Sequence, residues 1–165
     1  MGQMEIERKF VLGRVPDDMI AGCRGEQIRQ GYLLHDENSE LRIRQRDDHY
    51  WMTVKQGTGL SRFEQECEIP ETQFNMLWPL TEGRRIEKTR YSVPVGEHLF
   101  EIDLFSGALS RLIVLEIEFP DVETSQLFTQ PDFIAREVTE DRSYKNAVLA
   151  HRGLPESFLQ WIKDH

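Results

Sequence analysis

The stretch Met4-Glu5-Ile6-Glu7-Arg8-Lys9-Phe10 decides how the rest of the chain is read. With period 2, Glu5, Glu7 and Lys9 share one face of a strand, and Met4, Ile6, Arg8 and Phe10 share the other. On a soluble sheet this pattern ordinarily puts charges in water and apolar groups in a core. The reading changes if the same charges recur, sorted by sign, on the strands that follow.

Similar alternating segments do follow, separated by turn residues. They are Gln27–Leu34, Glu40–Arg46, His49–Gln56, Arg62–Ile69, Arg84–Val93, Glu97–Phe105 and Leu112–Phe119, after a first segment at Met4–Leu12. Asp47-Asp48 reads as a tight hairpin turn, and Gly57-Thr58-Gly59 as a loop. Eight strands at hairpin spacing predict an antiparallel barrel or sandwich. Four helical patterns interrupt them. One starts at Pro70-Glu71-Thr72 with Phe74, Leu77 and Trp78 on a stripe, and another covers Val122–Phe128. A third, Tyr144–Arg152, is closed by Gly153, and a last one opens at Pro155 with Phe158, Leu159 and Ile162 on one face.

Composition narrows the class. The chain has 165 residues, enough for one domain over 1–165 with a sizeable core. A net charge of −9 argues against a general nucleic-acid partner. Apolar runs are too short to span a bilayer, so no membrane partner is expected. No secretory signal opens the chain, and Cys23 and Cys67 lack metal-ligand spacing, which suits a cytoplasmic protein with reduced thiols. The five histidines form no metal constellation.

The charged faces are segregated by strand. E-x-E occurs at Glu5/Glu7, Glu64/Glu66 and Glu116/Glu118, and E-x-D at Glu101/Asp103. R-x-R occurs at Arg42/Arg44, and K-x-R at Lys88/Arg90. Lys55 lies below Thr53 and Trp51, while Gln30 and Tyr32 share one phase of the second strand. A single pair of this kind is most often a solvated face. Six sorted pairs are not, and the opposite faces are apolar enough to need a cover of helices. A closed barrel with a charged lumen, an open sheet with its charges in water and a lipocalin-like barrel with an apolar lumen are the competing geometries. Paired carboxylates need a cation between them, and hard oxygen ligands suit Mg²⁺ or Mn²⁺. Arg and Lys rows suit phosphate. Together they describe phosphoryl-transfer chemistry, and bridging cations explain how an acidic protein meets a polyanion.

The ordered series of motifs resembles the CYTH superfamily, the triphosphate tunnel metalloenzymes. Glu5-Ile6-Glu7-Arg8-Lys9 corresponds to its E-x-E-x-K signature, and the pairs above, with Glu137–Asp141 and Tyr144-Lys145-Asn146, continue the match to about residue 150. The pattern is most similar to small bacterial members that hydrolyse inorganic tripolyphosphate. The resemblance implies an α+β, mainly β fold: an eight-stranded antiparallel closed barrel with a charged lumen and helices packed outside. Residues 154–165 would form a C-terminal helix that caps the barrel or packs on it. It implies metal ligation by Glu5, Glu7, Glu116 and Glu118, with Glu64 or Glu66 and Asp103 at a second metal position. Phosphate contacts would come from Lys9, Arg42, Arg44, Lys88 and Arg90. Tyr32 and Lys55 look like a catalytic dyad. The expected function is metal-dependent hydrolysis of a small-molecule triphosphate to phosphate and pyrophosphate. The alternatives are a class IV adenylyl cyclase, a thiamine triphosphatase or a non-catalytic polyphosphate-binding module. A homodimer is left open.

Overall fold

The computed structural model describes residues 6–57 and 62–165, so Glu5 and part of the Gly57-Thr58-Gly59 loop lie outside the described residues. Among the described residues nine strands are present: β1 Ile6–Leu12, β2 Glu26–His35, β3 Ser39–Arg46, β4 His49–Gln56, β5 Phe63–Glu68, β6 Arg85–Val95, β7 His98–Phe105, β8 Ile113–Phe119 and β9 Ile134–Glu137. Their hydrogen-bonded order is β5-β4-β3-β2-β6-β7-β8-β1-β9. This corrects the expected eight-stranded closed barrel in two respects. There is a ninth strand, and the order has two ends, β5 and β9. The extra strand is only Ile-Ala-Arg-Glu, too short and too polar for a period-2 signal, and it forms by pairing with β1 from Phe10↔Glu137 to Leu12↔Ile134. The two-residue turn at Asp47-Asp48 is as expected. Arg46 pairs with His49, and Asp47 takes a positive φ of 52°.

The chain divides into two compact units, one of residues 1–26, 89–105 and 110–141, the other of residues 27–88, 106–109 and 142–165. In the first unit β1 pairs with β8 and β9, and β7 with β8, all antiparallel. Its core is the face opposite Glu7 and Lys9: Phe10, Leu12, Val93, Phe100, Ile102, Leu115, Ile117 and Phe119. Helix α1 (Asp17–Ile20) brings Met19 and Ile20 onto this core, and α3 (Val122–Leu127) ends at Phe128. The Phe128 ring lies 5.6 to 6.1 Å from Phe10, Phe100, Phe119 and His98. The Asp121 carboxylate accepts from the Thr124 N–H at 2.7 Å and caps α3.

The second unit repeats this division with β2 to β5. Ile43, Tyr50, Ile69 and Phe74 form its core, covered by α2 (Glu71–Leu77), which adds Leu77 and then Trp78. Arg29 stacks on Phe74 and Trp78, and Arg85 on Trp78 at 4.3 Å. Gly31 is required here, because a Cβ would come within 2.6 Å of the Thr81 side chain. Helices α4 (Asn146–Arg152) and α5 (Glu156–Asp164) complete the unit, the latter burying Phe158. No helix among the described residues is long and apolar enough to cross a membrane.

In both units the apolar face of the sheet therefore lies under helices, as the strand patterning predicts. Strand β5 departs from this: all six of its residues are exposed, including Phe63 at 55%, which the alternation assigns to the covered face. An end strand has one neighbour fewer to shield it. Phe100, at 1% exposure, should cost about 3–5 kcal/mol on substitution by alanine, whereas Phe63→Ala should change stability by less than about 0.5 kcal/mol. Urea unfolding of the two variants measures this, and equal losses would contradict the assignment of the covered face.

Candidate active site

In the first unit, strand register sets the charges in rows. Glu101, Glu116 and Lys9 lie side by side across β7, β8 and β1, and in the next row Glu118 stands opposite Glu7. Lys9 Nζ lies 3.6 Å from Glu116. From β6, Arg90 donates through Nε and Nη2 to both oxygens of Asp103, at 2.7 and 2.9 Å, and its Nη1 meets Glu101 at 3.0 Å. Burial pulls the Arg90 pKa down, but hydrogen bonds and charge from Asp103, then Glu101, more than offset it, so the guanidinium is held charged. Asp103 itself is 1% exposed, and each of its oxygens accepts one bond of that fork.

Glu7 feels the acidic row. Desolvation, then the Glu116 charge, push its carboxyl above the ordinary value, with Glu118 and Glu101 adding to the shift and Lys9 opposing it. The folded pKa exceeds the unfolded one, so this group favours folding when protonated and opposes it as pH rises through the folded value. A cation among the carboxylates would replace that proton. Glu7 opens onto a cavity of about 670 Å³ that is also lined by Arg8 and Glu137 to Asp141.

Arg8, the residue between the signature charges, faces the other way. It forks onto Glu137 at 2.9 and 2.7 Å, donates to the Ser125 carbonyl and lies over Phe10 and Phe128. Thr139 Oγ1 accepts from the Lys9 N–H at 3.0 Å and is hydrogen-bonded to Glu137 at 2.6 Å. Together these contacts hold residues 137–139 against β1. The sequence offers one signal for this role: an arginine placed on an otherwise apolar phase.

In the second unit one row is Tyr32, Arg42, Thr53 and Glu66, running from β2 to β5. A flanking row is Gln30, Arg44, Trp51 and Glu68, and the other sets Glu40, Lys55 and Glu64 side by side. Thr53 Oγ1 donates to Glu66 at 2.8 Å, Arg42 pairs with Glu40 at 3.3 Å, and Lys55 Nζ lies 3.9 Å from Glu64. Lys88 is 4% exposed. Arg42 Nε is buried with no acceptor among the described residues, an unspent donor that suits an anion. Tyr32 and Lys55 share a face without being register partners: Tyr32 lies opposite Arg42, and Lys55 opposite Glu40 and Glu64. The Tyr32 hydroxyl accepts from Gln30 Nε2 at 2.7 Å. Desolvation, then Glu40, push its pKa up to about 12 against the pull of Arg42 and Gln30. Glu40, 6% exposed beside Arg42 and Lys55, is a member of this site that the sequence placed on the charged face without giving it a role.

Among the described residues no three His, Cys, Asp or Glu converge as a ready metal cage. The donor set still fits Mg²⁺ or Mn²⁺. Such ions keep several waters and bind through one or two carboxylates together with substrate phosphate, and the mutual repulsion recorded at Glu7 is the condition a bound cation relieves. Glu5, the first residue of the signature, lies outside the described residues.

The CYTH domain model matches residues 3–145. An inorganic triphosphatase of Nitrosomonas europaea is 50% identical over 149 residues, covering 88% of this chain and 96% of the relative. An inorganic triphosphatase of Acetivibrio thermocellus is 40% identical over 147 residues, covering 88% and 92%. A crystal structure of an inorganic triphosphatase matches with a TM-score of 0.79 and 45% identity, covering 91% of this chain and 97% of that one.

Glu116→Gln should lower the Glu7 pKa, because it removes the largest charge that raises it and leaves the desolvation in place. Carboxyl ¹³C titration by NMR checks this; an unchanged Glu7 midpoint would contradict the electrostatic reading of the row.

Proposed function

The chain belongs to the CYTH domain family, and from that premise we propose that it hydrolyses inorganic tripolyphosphate to phosphate and pyrophosphate with a divalent cation. The observation that carries the proposal is the opposition of Glu7 to Glu118 beside Glu116, three carboxylates among which burial and then mutual repulsion raise the Glu7 pKa. Binding of an anion alone needs the basic rows and gains nothing from this acidic one. The two relatives named inorganic triphosphatase support the choice of substrate.

In this reading Glu5, Glu7, Glu116 and Glu118 hold the cation, Mg²⁺ or Mn²⁺. Glu64, Glu66 and Asp103 serve a second one, Asp103 through lone pairs that Arg90 does not use. The bound cation supplies charge neutralisation on phosphate and a lowered pKa for water. Lys9, Arg42, Arg44, Lys88 and Arg90 take the phosphate oxygens, with Arg42 Nε supplying the buried open donor. Water oxygen attacks the terminal phosphorus, and the bond to the bridging oxygen breaks. The electron pair leaves with pyrophosphate, and the water proton passes to a base.

Tyr32 and Lys55 are the proposed catalytic pair. With its pKa near 12, Tyr32 is a phenol at neutral pH and donates a hydrogen bond to phosphate; it becomes a phenolate base only as bound cations and Lys55 draw that value down. Cys23 and Cys67 are free thiols, consistent with the cytoplasmic location proposed here.

Tripolyphosphate, ATP and thiamine triphosphate offered with Mg²⁺ or Mn²⁺ test the reading. Phosphate release from tripolyphosphate alone is expected, and cyclic AMP formation from ATP would overturn it. Glu7→Ala should reduce turnover by about 100-fold or more while leaving the fold intact, with an unfolding midpoint at neutral pH no lower than the parent's. Tyr32→Phe should flatten the alkaline limb of the rate profile; full turnover across that limb would remove Tyr32 from the chemistry.

A further inference from the structure

The Tyr32 ring reaches a second group of side chains that the charged rows do not use. The imidazoles of His35 and His151 lie 4.9 Å apart, and the Tyr32 ring is 5.5 Å from His151 and 6.1 Å from His35. His151 Nδ1 donates to the Ala147 carbonyl at 2.7 Å, which leaves Nε2 to meet a ligand. Both rings line a cavity of about 650 Å³ whose wall also carries Arg142, Ser143, Arg152 and Glu156. Neither guanidinium has a side-chain hydrogen bond or ion pair among the described residues. Two arginines and two histidines thus converge on one concave space against a single carboxylate.

We propose that this cavity, within the second unit and apart from the Arg42 row, is a binding site for inorganic phosphate and pyrophosphate. Guanidinium groups match phosphate oxygens two at a time, and a pair of free ones facing one cavity is suited to an anion with several oxygens. The two tilted imidazoles add further donors facing the same space. The His151 Nε2–H then donates to phosphate while Nδ1–H stays on Ala147. Because both rings touch Tyr32, an anion held here also fixes the wall behind the proposed catalytic phenol. The choice of ligand rests on the phosphate chemistry proposed above, since these anions are its products. The test reads binding alone, so the two proposals can fail separately.

The experiment is a titration of the protein with sodium pyrophosphate in EDTA, followed through imidazole ¹H–¹³C resonances. His35 and His151 should shift saturably, with His98, on the apolar face of the first unit, as the unmoved control. In Arg142→Gln/Arg152→Gln the half-saturation concentration should rise at least about tenfold with unchanged thermal unfolding. Glu156→Gln, which removes the one opposing charge, should lower it, and this arm decides if the double variant does not fold. No saturable shift at His35 and His151, or an unchanged midpoint in the variants, overturns the site. Loss of hydrolysis with the shifts intact leaves this site standing.

Discussion

The constraint on which the rest depends is the register of β1 against β8. It places Glu7 opposite Glu118 and puts Glu116 between Lys9 and Glu101. Like charges directly opposed on a sheet are destabilising. Directly opposed pairs of this kind cost up to about 1 kcal/mol each. A domain with a net stability of about 5–15 kcal/mol carries several of them only when the arrangement serves another end. Slipping the register by one residue would relieve the repulsion, but it would turn one strand over and take either Phe10 and Leu12 or Leu115, Ile117 and Phe119 out of the core. The apolar face therefore fixes the charged one in place.

From that constraint follows the inversion of the usual sheet. Since one face is committed to charge, the other must bury everything apolar, and short helices do the covering: α1 and the end of α3 in the first unit, α2 in the second. Internal partners restrain part of the charged face. Arg90 takes both oxygens of Asp103, and Thr53 takes Glu66. What remains unrelieved is an acidic row at Glu7 and an open donor on Arg42, one suited to a cation and the other to an anion.

Much of this was legible in the sequence, because period-2 alternation is a direct projection of strand geometry. The eight anticipated strands appear within two residues of their expected bounds wherever these are described, and the Asp47-Asp48 turn needed only its two residues and flanking pattern. What escaped was held by tertiary contact. β9 exists because β1 offers it an edge, and α1 is four residues whose role is to deliver Met19 and Ile20. Phe63 kept the right phase but lost its cover at the end of the sheet. In the site, residue types and faces could be read, while their environments could not. Asp103 gives both oxygens to the Arg90 fork, Tyr32 is pushed up by burial and Glu40, and His151 reaches Tyr32 from a helix more than a hundred residues away.

The most direct test of the central claim is anomalous diffraction from crystals grown with Mn²⁺ and a non-hydrolysable tripolyphosphate analogue. The account predicts a manganese peak bounded by Glu7, Glu116 and Glu118, with analogue oxygens completing its coordination. A crystal that holds the analogue but shows manganese only at other carboxylates, or none, would contradict it.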